Sequence, residues 1–161
     1  MSRELLTYIT PAETELAEHL AREIRRVAPQ HYDQIDDAVL QQRTARLVGA
    51  LVKALETGPE PFLVYVRQMA EARIHEGFFL EEMQTVLSLL EERLWNLVLD
   101  SAPYRRGIAH LAVVTTIVGR AKDELARVYL ERERVAEVRI DELEHRLQLL
   151  RGTDPVVEAG V

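Results

Sequence analysis

Between positions 104 and 151 the chain contains no proline and only two glycines, Gly107 and Gly119. Proline breaks a helix interior and glycine loosens it, so a run of this length almost free of both points to one continuous helix. A helix of roughly 45 residues extends about 70 Å at 1.5 Å per residue, over twice the length of any other helix this sequence supports. Its end must therefore project beyond the domain that the rest of the chain builds. The run has two characters. Up to about Tyr129 it is apolar almost all round, as suits a central core helix; beyond that it is charged, with Val135, Val138, Ile140, Leu143, Leu147 and Leu150 as its apolar positions. The last four are spaced three, four and three, the spacing of a coiled coil. An exposed apolar stripe on a lone helix is unfavourable in water, so these six residues are expected to form an interface, most simply with a second copy of the chain. The alternative is a bend after Tyr129 that packs the end back on its own domain.

The preceding sequence reads as four shorter helices. Thr10-Pro11-Ala12-Glu13 carries the signals of a helix start, with Thr10 as cap, Pro11 in the first turn and Glu13 completing a capping box. Leu16, Leu20, Ile24 and Val27 then share one face until Pro29. A polar link over 30–35 leads to a second helix capped by Asp36, with Leu40, Leu47, Leu51 and Leu55 as its stripe and Thr57-Gly58-Pro59 as its end. The third runs over 60–76 and closes at Gly77, with Phe62, Val66, Met69 and Ala70 pointing one way. Only Phe78 and Phe79 separate it from the fourth, where Met83, Leu87, Leu90, Leu94 and Leu97 form an amphipathic face broadened by Val86 and Trp95. The fold class is all-α.

Composition narrows the chemistry. Hydrophobic residues make up 47% of the 161, enough for a core, and there is no cysteine, so neither disulfides nor thiolate chemistry are available. The longest strongly apolar stretch, over 108–118, contains His110 and two threonines and is too short to span a bilayer. With no signal-peptide pattern at the start, a cytoplasmic location is expected. The net charge of −7 and the short Arg25-Arg26 and Arg105-Arg106 pairs make nucleic acid and anionic membrane poor partners.

The five histidines are His19, His31, His75, His110 and His145. No Ser–His–acid motif and no glycine-rich loop after a strand accompanies them, and none sits in the His-x-x-Lys-Gly pattern of phosphotransfer bundles. Glu142 and His145 form one Glu-x-x-His pair, where a di-iron bundle needs two pairs and two further glutamates. Glu81, Glu82, Glu91 and Glu92 read as a wet helix face, and His110 as a core histidine hydrogen-bonded to a neighbour. No catalytic or metal-binding group is expected.

The stretches Leu51-Val52-Lys53-Ala54-Leu55-Glu56-Thr57-Gly58, Pro61-Phe62, Tyr65-Val66-Arg67, Arg73-Ile74-His75-Glu76-Gly77-Phe78, Leu80-Glu81-Glu82, Leu89-Leu90-Glu91, Leu94-Trp95 and Tyr129-Leu130-Glu131-Arg132-Glu133 follow a familiar order. This order resembles the N-terminal sensor domains of the RsbR and RsbRD type, co-antagonists of the RsbT kinase. The resemblance, over roughly 13–150, implies a non-enzymatic, globin-like helical domain that binds no haem, dimerises and passes a signal along its last helix. Its implied partners are stressosome-type or kinase signalling proteins. In the family that helix usually leads into a STAS domain, whereas the sequence here ends at Val161. The expected organisation is a globin-like sensor domain over 1–130, a coiled-coil extension over 131–151 and a flexible tail over 152–161. The competing expectation is a haem- or small-ligand-binding sensor, with His75 as the candidate haem ligand and Phe78, Phe79, Trp95 and His110 around a pocket.

Overall fold

The computed structural model describes residues 2–27 and 29–152, and among them every regular element is a helix. In chain order these are α1 (Ser2–Ile9), a 3₁₀ turn (Thr10–Ala12), α2 (Glu13–Val27), α3 (Pro29–Tyr32), α4 (Asp37–Thr57), α5 (Glu60–His75), α6 (Leu80–Ser101) and α7 (Tyr104–Gly152). The expected tail lies, from 153 on, outside the described residues.

The chain's first helix is not the one expected from the capping signals. Thr10-Pro11-Ala12 forms the turn between α1 and α2, with the Glu13 N–H donating to the Thr10 carbonyl, and no side chain caps the turn. Burial explains the extra helix. Leu5 and Ile9, four apart on one face, are fully buried, so packing rather than local propensity recruits the segment. On α2, Leu16, Leu20 and Ile24 are buried and Val27 is left outside. The link to α4 is held by Arg25, whose guanidinium donates to the carbonyls of Tyr32 and Ile35 and lies 2.7 Å from an Asp37 carboxylate oxygen. Arg26 pairs with Glu23. Both arginines of the first basic pair thus serve the fold.

Helix ends follow their punctuation. The Asp36 carboxylate accepts from the Ala38 N–H at 2.8 Å, and α4 stops at Gly58, whose N–H bonds to the Ala54 carbonyl. Gly58 has φ 110° and ψ 167°, not the left-handed helical well but an extended region essentially confined to glycine. At the end of α5, Gly77 (φ 86°) donates to Ile74 and Phe78 donates to Arg73, the paired bonds of a Schellman motif. The Phe78 ring closes that motif under the Arg73 guanidinium.

The helices pack in a ring, α2 on α4, α4 on α5, α5 on α7, α7 on α6 and α6 back on α2, with α1 against α4, α6 and α7. Leu47, Val48, Leu51, Phe62, Val66, Leu87, Leu90, Leu94, Val118 and Leu125 fill the interior. α7 is one helix of 49 residues, but it is not a central helix: Val114, Val118, Ala121 and Leu125 face in, while Ile108 and Thr115 are exposed. Trp95, expected to widen the apolar face of α6, is 40% exposed and instead donates its indole N–H to the Thr115 hydroxyl. From 131 to 150 every residue of α7 is exposed, so the helix leaves the domain without bending back.

Candidate functional site

The place where α7 leaves the ring is tied to the turn between α5 and α6. Gly77 turns the chain so that Phe78 goes inward, 5% exposed, against the edge of the Tyr32 ring at a centroid distance of 4.9 Å. Phe79 points outward and is 57% exposed. Both phenylalanines meet the His31 imidazole, at 5.0 and 5.4 Å between centroids. Below them the Glu82 carboxylate, 7% exposed, accepts from the Phe79 N–H at 2.8 Å and from the His31 N–H at 3.2 Å, with His31 Nδ1 2.9 Å away. The Phe79 contact is half of a capping box, because phenylalanine has no acceptor to return. Burial pushes the Glu82 carboxyl up, but the bonds from Phe79 and His31 outweigh it and hold the group below the usual carboxylate range.

Tyr129 completes the junction. Its hydroxyl donates to the Phe78 carbonyl at 2.9 Å, and burial, reinforced by the Glu82 charge, pushes it up to about 12. It therefore remains a donor across the neutral range. The next residue, Leu130, is already exposed. One side chain thus links the α5–α6 turn to the root of the projecting rod. Sequence reasoning read Glu81, Glu82, Glu91 and Glu92 as a wet face. Glu82 is instead this buried cap, and Glu91 is paired with Lys122 at 2.8 Å.

The expected interface residues all lie on the rod. Val135, Val138, Ile140, Leu143, Leu147 and Leu150 are each more than half exposed, as are Leu130 and Leu149. The residues expected around a pocket have separate surroundings. Phe78 and Phe79 meet at His31, Trp95 bonds to Thr115 across α6 and α7, and His110 lies beside Tyr8 of α1. His110 is 1% exposed as a core histidine should be, yet its Nδ1 has no hydrogen-bond partner among the described residues, and Nε2 is 3.9 Å from the Glu4 carboxylate. His75 is exposed at the end of α5, with Nδ1 2.7 Å from the Glu71 carbonyl. Between α5 and α7 a cleft of about 310 Å³ is lined by Arg67, Arg120, Arg127, Glu60, Asp123 and Glu124. The nearly buried Glu124 takes Arg67 at 2.6 Å and Arg127 at 2.7 Å, so charge is largely cancelled inside it. Among the described residues, no three His, Asp or Glu side chains are grouped to hold a metal ion, and no helix is long and apolar enough to cross a membrane.

The family model described as the RsbT co-antagonist protein RsbRD N-terminal domain matches residues 14–147. The chain belongs to this family. In this RsbRD-type N-terminal domain the match takes in the α2–α7 ring, the Phe78–Tyr129 junction and most of the exposed rod; α1 lies before it. Membership makes the chain an RsbT co-antagonist N-terminal domain, a signalling class. No curated protein and no solved structure matches the chain.

Proposed function

We propose that the chain is a non-enzymatic sensor and scaffold domain that pairs with a second copy through the rod of α7 and relays a signal along it in a stress-response pathway. One observation carries this reading: α7 continues for some twenty residues past the domain with all of them exposed, and large apolar side chains recur along that stretch. Apolar area on an isolated helix contributes roughly 25 cal/mol per Å² once covered, so the bare rod is unfavourable alone and favourable in a pair. The family supplies the context, since a co-antagonist N-terminal domain acts through other signalling proteins. The Phe78–Tyr129 contact supports such a route, because it joins the α5–α6 turn to the residue at which the rod begins.

The interface is proposed to draw on Val135, Val138, Ile140, Leu143, Leu147 and Leu150. Leu143→Asp places a charge in the middle of it and nowhere near the core. Sedimentation should show a dimer for the parent chain and a monomer for the variant, with unchanged helicity and melting of the domain. A parent chain that sediments as a monomer at high concentration would overturn the reading.

A further inference from the structure

The cleft between α5 and α7 belongs to neither the junction nor the rod, and its charges are unevenly divided along it. Pro59, at the start of α5, lines a neighbouring hollow with Val113 and Ile117, while Arg67 meets Glu124. The two helices therefore run the same way, and Glu60 lies at the Arg120 end. At the far end the buried Glu124 holds Arg67 through Nε and Nη2, and Arg127 through Nη1. A guanidinium carries more N–H donors than Glu124 takes up, so both arginines keep donors for an anion. That end has two cations and one anion. The near end has Glu60, Asp123 and Arg120, two anions and one cation, all exposed and in no ion pair among the described residues. The lining is neutral in total, yet positive at one end and negative at the other.

Excess charge of opposite sign at the two ends of one hollow fits a ligand that carries both signs. The volume of about 310 Å³ lies at the low end for ligand sites, so the ligand is a small one. Spacing narrows the class. Asp123 and Arg120 precede Arg127 by four and seven residues, about 6 and 10 Å along α7. An α-amino acid carries both charges on one carbon and does not span such ends, whereas one more residue adds about 3.5 Å of reach. At Arg120 the cleft adjoins the second hollow, of about 380 Å³, where Pro59, Ala112, Val113 and Ile117 offer apolar surface. We propose that the cleft binds a short unblocked peptide of the dipeptide class, with an apolar first residue. Its carboxylate meets Arg67 and Arg127, its ammonium meets Glu60 and Asp123, and its first side chain lies past Arg120 against Val113 and Ile117. The site is on the domain, away from the rod, so it does not depend on the proposed pairing.

Leucylglycine titrated into the full chain in a calorimeter should bind saturably at millimolar concentration. N-acetyl-leucylglycine lacks the cation and leucylglycine amide lacks the anion, and each should bind about tenfold more weakly. Glycylglycine should also bind more weakly, having no apolar side chain to cover. Arg127→Gln leaves Glu124 paired with Arg67, and should weaken leucylglycine about tenfold with helicity unchanged. Glu60→Gln with Asp123→Asn acts on the other end, and there the advantage of the free over the N-acetylated peptide should vanish, an effect that a merely structural role would not produce. Absence of leucylglycine binding overturns the inference, as does equal binding of the blocked peptides or parent-like binding by both variants. Tighter binding of the N-acetylated form overturns it too, in favour of a plain anion site. Sedimentation of the same samples keeps the two proposals apart. A monomeric chain that binds the peptide removes the pairing and leaves this site standing, whereas a dimer that ignores the peptide does the reverse.

Discussion

Glu82 shows how much one side chain can organise here. Its carboxylate receives two backbone N–H groups and faces a histidine ring, while almost no water reaches it. Replacement by alanine leaves those donors without their acceptor, which costs about 1–3 kcal/mol and should be read as a lower urea midpoint. The pH dependence has a definite sign. Glu82 is held below the ordinary value of 4.5, and so is Glu76, where burial is outweighed by Arg73 and Arg43. A carboxyl lowered in the folded state contributes its full stability above the unfolded value and loses it as pH falls through the folded one. The domain should therefore weaken as pH drops below about 4.5, with a shallower acid slope in Glu82→Gln, followed by denaturant titration across that range. None of this was legible in the sequence. A glutamate in the first turn of an amphipathic helix looks solvated, and nothing in its spacing reveals that His31, 51 positions earlier, folds over it. His110 was legible as a core residue, but its neighbours Tyr8 and Glu4 come from a helix the sequence did not announce.

At the scale of elements, what was punctuated was readable. Asp36 before α4, Gly58-Pro59 after it and Gly77 after α5 have backbone demands that few other residues meet, so they mark boundaries whatever the tertiary structure does. Gly77 at φ 86° is the sharper case, because a Cβ there is strained by the backbone alone, its nearest neighbour, His31 Nε2, lying at an ordinary contact distance of 3.8 Å. Gly77→Ala should cost about 1–2 kcal/mol and appear as a lower melting temperature. If the Phe78–Tyr129 contact couples turn to rod, the same variant should also raise hydrogen exchange around Tyr129. Elements decided by packing were less readable. α1 has ordinary local propensity, and only the burial of Leu5 and Ile9 makes it a helix. The first half of α7 looks apolar all round, yet it borders the ring rather than crossing its centre, since periodicity gives a face and not the number of neighbours that cover it.

For the whole molecule, the unbroken length of α7 was the feature most fully written in the sequence, because the absence of breakers is itself the signal. Its projection has a simple consequence for size. A chain ending after Tyr129 keeps the ring and the junction but loses the rod, and light scattering should report a folded monomer beside a dimeric parent. The placement of α1 bears on a different matter, where this protein can be cut from the other side. The family match opens at 14, yet Leu5 and Ile9 are fully buried five and more positions earlier. A fragment trimmed to the family's own limits would carry two leucine-sized holes open to water, so the boundary that homology draws and the boundary that folding needs are not the same.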